Sequence, residues 1–455
     1  MEMILEFLRD VLSQPALLIG IMSCVGLIAL KRPFHKIMTG TLKPILGYLM
    51  LAAGAGVIVS NLDPLGKMIE HGFHITGVVP NNEAIVAVAQ KVLGVETMSI
   101  LVVGLLMNLL IARFTKFKYV FLTGHHSLFM ACLMSAVLGT AGLSGIELIL
   151  VGGFLMGAWS AISPAIGQSY TSKVTDGDEI ALGHFGSLGY YLSAWVAKYV
   201  GKAEESTEDI EIPEKWGFLR DSTLSTALTM IVFYLIAAIA AGSEFVAPLS
   251  GSMSPYLFAV MSAMNFAVGV AIVYSGVRMI LGDLIPAFQG IATKIIPNAI
   301  PAVDCAVFFT YAPTAVVLGF ISSFIGGIIG MLILGAVGGV LIIPGLVPHF
   351  FCGATAGIYG NATGGRRGAA VGAFLNGLAI TFLPALALPV LGQLGFQNTT
   401  FGDADFAVMG LVLGNAFEWI GMAGIYGVVV IAALVLIIPN FIKTKGKVIN
   451  YVEEE

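Results

Sequence analysis

Residues 345–368 read GLVPHFFCGATAGIYGNATGGRRG. The stretch opens apolar, dissolves into glycine, alanine, threonine and asparagine, and closes on two arginines. Irregular polar backbone at membrane depth is tolerated only where it is buried in protein or lines a watery cavity. The tract therefore predicts a place where a transporter holds a solute. A comparable interruption, GQSYTSKVTDGDEIALGHFG, occupies Gly167–Gly186 after an apolar run of its own. Two broken segments, one in each half of a chain, point to a secondary-transporter-like binding site.

The rest of the sequence agrees with that setting. Of 455 residues, 57% are hydrophobic and 11% charged, against roughly 25% charged in a soluble domain. Apolar runs long enough for a membrane helix, about 20 residues each, recur along the chain. They predict an all-α polytopic membrane protein with about eleven transmembrane helices, some of them re-entrant or broken. The first apolar run follows the acidic MEMILEFLRD and has no small-residue cleavage site after it, so it reads as a span and not as a removable signal. Lys31, Arg32, Lys36 and Lys43 follow the first span, and Lys443, Lys445 and Lys447 the last. The positive-inside rule then places the N-terminus outside and the C-terminus in the cytoplasm, which requires an odd number of spans.

Three regions are expected: a first membrane repeat over residues 1–197, a linker over 198–222, and a second membrane repeat over 223–455. The linker is mixed in charge and carries Trp216 and Phe218, which predicts a cytoplasmic connector with an interfacial segment. Similar layouts in the two halves (GHHSLFMAC at 124–132 against PAVDCAVFF at 301–309, then a glycine-rich helix, then a broken tract) predict an inverted repeat.

Ionisable groups within spans are costly and mark solute or ion pathways. His125 and His126 begin an apolar helix, His184 follows the KVTDGDEIALG loop, and Asp304 sits between Pro301 and Cys305. His125, His184 and Asp304 read as converging on a hydroxylated solute, since carboxylate and neutral imidazole accept and donate in fixed directions. Asp304 doubles as a helix N-cap. His126 and His349 read as structural hydrogen bonds between helices, and Glu418 as an interfacial group. Asn81, Asn82 and Glu83 form a polar helix start able to face a cavity. Cys24, Cys132, Cys305 and Cys352 lack any metal-binding spacing and read as small buried hydrophobes. No nucleophile–base pair, phosphate loop or metal motif is present, so no catalytic residue, metal or cofactor is expected.

GTLKPILGYLMLAAGAGVIVS, LTGHH, KVTDGDEIALGH, IPAVDCAVF, APTAVVLGF and LIIPGLVPHFF together resemble the membrane component, enzyme IIC, of the ascorbate-type bacterial phosphotransferase system (PTS). The resemblance implies a homodimer in the bacterial inner membrane, each protomer pairing a core domain with a V-shaped dimerisation domain. It implies elevator-like uptake of ascorbate or a related sugar acid. A separate soluble enzyme IIB, itself charged through IIA, would phosphorylate the solute. It also implies a substrate site at Ala55, Asn82, His125, Phe129, His184, Phe185 and Asp304, with backbone near Thr355. Where the family carries amide side chains, this chain has Phe129 and Phe185. The competing expectation is a proton- or ion-coupled transporter, with His125, Asp304 and Glu83 as a relay.

Overall fold

Three short extended segments, not the helices, decide where the chemistry of this chain is delivered. The computed structural model describes residues 11, 14–74, 77–78, 80, 82–210, 222–392 and 400–441. The first half runs α1 (Pro15–Ala29), α2 (Phe34–Gly72), α3 (Asn82–Phe114), β1 (Tyr119–Phe121), α4 (Gly124–Thr140), α5 (Gly145–Thr175), β2 (Ala181–Leu182) and α6 (Ser187–Val200). The second runs α7 (Ser222–Ala241), α8 (Ser243–Ser250), α9 (Pro255–Lys294), β3 (Ile300–Val303), a 3-10 helix (Cys305–Thr310), α10 (Pro313–Ala336), α11 (Leu346–Gly392), α12 (Ala404–Ile420) and α13 (Met422–Phe441).

Among the described residues, seven helices are long and apolar enough to span a membrane, or eight if the bent pair α7–α8 is one span. The expected eleven is therefore not reached on length alone. The remainder would have to come from shorter apolar helices such as α1, α4 and α12. The all-α polytopic class stands. The segment Trp216–Phe218 and the C-terminal lysines lie outside the described residues.

The helices pack chiefly within two groups, and neither group follows the halves of the chain. Helices α1, α2, α7, α8 and α9 form the first; α3–α6 and α10–α13 form the second. The first group is closed by glycines. A Cβ on Gly54 would lie 2.7 Å from the Gly269 carbonyl oxygen, and one on Gly276 would lie 2.5 Å from that of Gly47. The pairs 47/276 and 54/269 run in opposite directions, so α2 and α9 are antiparallel and their backbones touch. Small residues permit this approach between membrane helices. The second group uses the same device, since a Cβ on Gly357 of α11 would lie 2.6 Å from the Gly319 Cα of α10.

That packing corrects the reading of Gly345–Gly368. The tract is helical from Leu346 and breaks only at Gly364 (φ −146°, ψ 17°) and Gly365 (φ 59°, ψ −155°). Gly353 and Gly357 face α10, Gly360 faces Gly368 beyond the break, and none of the three interrupts the helix. In the first half, α5 continues to Thr175 and ends on Asp176 at φ 53°, so that break also begins later than the sequence suggested. The glycine-rich helix expected ahead of this tract, over residues 338–353, is helical only from Leu346; residues 338–345 form a turn and an extended bridge in which Ile342 pairs with Val78.

Strands β1, β3 and β2 lie in that order, both pairings parallel. Their outer edges are sealed by amides. Asn108 of α3 donates to the Tyr119 carbonyl (3.1 Å) and accepts from the Phe121 N–H (3.0 Å). Gln168 of α5 donates to the Ile180 carbonyl at 3.1 Å. A sheet edge left bare in a membrane protein would expose unpaired backbone groups. Replacing Asn108 by leucine orphans two such groups, at about 1–3 kcal/mol each, and Gln168→Leu orphans one. Thermal unfolding in detergent should therefore show the larger loss for Asn108→Leu. Equal or negligible losses would count against the sealing role.

Candidate functional site

Because all three strands are parallel, their carboxyl ends open at one place. His125, in the first turn of α4, comes four residues after β1, His184 two residues after β2, and Asp304 directly after β3. The register is tied beyond the strands by Leu122 N–H to the Ala302 carbonyl (2.9 Å) and Gly183 N–H to the Val303 carbonyl (2.7 Å). The three residues singled out in the sequence are thereby brought together.

His125 Nε2 lies 3.5 Å from Asp304 Oδ2, and its Nδ1 lies 3.3 Å from the Tyr48 hydroxyl of α2. Asp304 also caps the 3-10 helix, its Oδ1 accepting from the Ala306 N–H at 3.0 Å. The cap expected of it is therefore present, and its other oxygen faces His125. His184 Nδ1 accepts from the Gly186 N–H (3.1 Å) and is bonded to the Tyr190 hydroxyl at 2.9 Å. A nitrogen that accepts an N–H carries no proton, so His184 is the neutral Nε2–H tautomer. Asp403 Oδ1, 3.8 Å from that same nitrogen, consequently receives no proton from it.

His126 makes a structural hydrogen bond of the kind expected, its Nδ1 accepting from the Phe185 N–H at 3.4 Å, and its ring centroid also lies 3.8 Å from that of His184. Phe185 does not line the site with its ring, which is fully buried and stacked on Phe121 at 4.6 Å. Phe129 stands at the edge of both histidine rings, with centroids 5.8 Å from His125 and 5.7 Å from His126. His349 is structural as expected, paired with Ser323 Oγ at 2.9 Å, and Glu418 is exposed.

Asn82 reaches the cluster only through others. Its amide donates to Asp403 Oδ2 (2.6 Å) and accepts from the Gly402 N–H (2.9 Å). Thr355 is buried, its hydroxyl bonded to the Phe351 carbonyl at 2.7 Å. Ala55 is half-buried on α2, two turns beyond Tyr48 and on the same helix face. Asn81 and the Glu83 side chain lie outside the described residues.

The sequence reading missed Asp403, Asp405, Tyr48, Tyr190 and Cys352. Cys352 is no mere hydrophobe, since its thiol donates to Asp403 Oδ1 at 2.9 Å. The available signal was the pair of aspartates in FGDADFAVMG, directly ahead of an apolar helix. Asp405 is fully buried and accepts from Ser187 Oγ (2.7 Å), the Leu188 N–H (2.9 Å) and Trp159 Nε1 (3.2 Å). Its own N–H donates to the Phe185 carbonyl at 2.9 Å, so it clamps the loop that carries His184.

His126, His184 and Asp403 place ligand atoms within 4.8 Å of one another, as do His125, His126 and Asp304. A metal-bound imidazole normally donates its other nitrogen's proton to an acceptor. Here backbone N–H groups face Nδ1 of both His126 and His184, which suits hydrogen bonding to a solute better than metal ligation.

A cleft beside the cluster lies on the boundary between the two helix groups. Ile19, Tyr48 and Ile280 line it from the first group, and Thr123, Val303 and Asp304 from the second. A second cleft farther along that boundary is lined by Met230, Phe266 and Val270 against Val316, Phe320 and Phe350.

A family model described as the PTS system sugar-specific permease component, EIIC-GAT, matches residues 10–405. The chain belongs to this family of PTS permeases. It is also similar to the ascorbate-specific PTS system EIIC component of Mycoplasma pneumoniae, 26% identical over 417 residues that cover 78% of this chain. The chain spans 62% of the length of that relative.

The hydrogen-bond pattern of this permease makes a spectroscopic prediction. Imidazole ¹⁵N spectra should give His184 and His126 an unprotonated Nδ1 and a protonated Nε2. The opposite tautomer at His184 would contradict the Gly186 contact.

Proposed function

We propose that this permease carries ascorbate or a related sugar acid into the bacterial cytoplasm, and that a separate soluble enzyme IIB phosphorylates the incoming solute. The observation that carries the reading is the delivery of His125, His184 and Asp304 to one point by the parallel strands, in a chain of this family. A carboxylate accepts from solute hydroxyls, and the Nε2–H of His184 donates to solute oxygens. The ascorbate-specific relative supports the choice of solute.

The basic residues support a cytoplasmic assignment for one end of the molecule. Lys116 N–H bonds Asn440 Oδ1 at 2.9 Å, and the Lys118 carbonyl accepts from Ile300 N–H at 2.8 Å. Those contacts gather the ends of α3, α9 and α13 at one side, and the packing of Gly26 against Ala287 brings the α1–α2 turn with its Lys31 and Arg32 to the same side. By the positive-inside rule this side faces the cytoplasm. The strands then run from it into the membrane, so the cluster lies at depth.

Alternating access by an elevator-like movement of the second helix group against the first is favoured by their boundary, which is largely apolar and cleft-bearing. The first group is the candidate dimerisation domain of a homodimer, and lipid would cover its exposed apolar side chains such as Ile236 and Ile239.

The test is uptake of labelled ascorbate into vesicles holding this protein, with and without phosphorylated partner proteins. Uptake that needs the partners and yields ascorbate phosphate is the expected result. Entry driven by a pH jump without partners would favour the ion-coupled alternative. Asp304→Asn keeps an oxygen to cap the Ala306 N–H but removes the charge, so uptake should fall roughly tenfold or more at an unchanged yield of folded protein. Uptake that survives this change would remove Asp304 from the site.

A further inference from the structure

Asp403 occupies the N-cap position of α12 (φ −113°, ψ 143°), yet its side chain does not cap its own helix. An aspartate there ordinarily accepts from the first-turn N–H groups of the helix it begins. Instead the carboxylate is turned inward and is 5% exposed. Its partners are neutral side chains, one on each oxygen: the Asn82 amide at 2.6 Å on Oδ2 and the Cys352 thiol at 2.9 Å on Oδ1. His184 Nδ1, at 3.8 Å, already accepts from Gly186 and cannot donate.

Asp405 provides the contrast within the same helix turn. It is equally enclosed but has three good donors from two helices, and is fully accounted for by structure. Asp403 has neither a cation nor a backbone N–H on its carboxylate among the described contacts, so acceptor capacity remains. It is held in place nonetheless, because Gly402 N–H is pinned to the same Asn82 side chain at 2.9 Å. Asn82, with both ends of its amide committed, is better placed to hold Asp403 than to touch a solute. The carboxylate also lies with His126 and His184 in one cluster of ligand atoms, while Asp304 lies with His125 and His126 in another.

We propose that Asp403 is a solute-binding residue: its carboxylate accepts a hydroxyl of the transported polyhydroxylated acid, with Asn82 as its positioning residue. Asp304 and Asp403 then flank the histidines, and the site selects solutes with two hydroxyl groups far enough apart to reach both. This rests on the permease reading above.

The experiment is equilibrium binding to the purified full chain in detergent. The probes are ascorbate and a set of analogues each lacking one hydroxyl, tested against wild type and Asp403→Asn. The substitution keeps an acceptor for Asn82. Ascorbate affinity should fall about tenfold, while one deoxy analogue loses little further, because its missing hydroxyl is the partner of Asp403. Equal losses for ascorbate and every analogue, or no loss, would overturn the assignment of Asp403 while leaving the permease reading intact. A folded wild-type protein that binds no ascorbate would overturn both. As a measurement independent of the variant's folding, infrared difference spectra of the wild-type protein on adding ascorbate should show a carboxylate shift that diminishes with that deoxy analogue; the same shift with every analogue would also refute the proposal.

Discussion

The cluster of histidines with Asp304 depends on the parallel pairing of three very short strands. Parallel strands can be joined only by long crossovers, so residues 119–121, 181–182 and 300–303 each return from a separate excursion through the helices. Their common direction is what lets one histidine from each of two excursions and an aspartate from a third meet. Such backbone survives at membrane depth because no edge is left bare. β3 is covered on both sides by strands, and the outer strands are covered by Asn108 and Gln168. The two amides therefore help to hold the strands that deliver the histidines and Asp304 to one place.

Helix packing follows a simpler rule, namely that small residues set how closely backbones approach. Glycines on α2 and α9 weld the first group, and those on α10 and α11 weld part of the second. The same composition gives a mobile-looking sequence a rigid structure. Residues 353–363 contain three glycines with alanine and threonine and form continuous helix.

Much of this was legible in the sequence. The membrane class followed from hydropathy, and Asp304, His125 and His184 were marked by the cost of ionisable groups in apolar runs. Asp304 was also readable as a cap, because aspartate after an extended Pro-Ala-Val suits that position. What could not be read depends on tertiary pairing. His126 drew less weight than His125 because a helix puts neighbours on different faces; here His125 meets Tyr48 and Asp304, and His126 meets His184 and the Phe185 N–H. Phe185 was assigned a solute-facing ring on family pattern, but its backbone carries the local role, donating to His126 and accepting from Asp405. Glycine-rich Gly345–Gly368 looked broken because composition does not tell a glycine that bends a chain from one that lets a neighbour approach. Asp403 was invisible for a different reason: its partner Asn82 is 321 positions away.

The division into two groups limits how one could move against the other. The chain passes between them after α2, after α6 and after α9. Two of these crossings carry a non-glycine residue in the left-handed region, His74 at φ 56° and Asn298 at φ 61°. Sharp local turns thus sit where the backbone leaves the first group. The third crossing is fastened to the second group first: Thr207 N–H bonds Asn361 Oδ1 at 2.8 Å, and the Glu208 carboxylate accepts from the first N–H groups of α10, at 3.0 Å from Thr314 and 3.1 Å from Ala315. Arg366 N–H, just past the break in α11, bonds the Glu205 carbonyl at 2.8 Å. Residues 205–208 are therefore fastened to the second group. Near the cluster, the polar contact across the boundary is the Tyr48 hydroxyl to His125 at 3.3 Å. A movement of the second group would break that contact while leaving the strands, the histidines and both aspartates in one rigid frame.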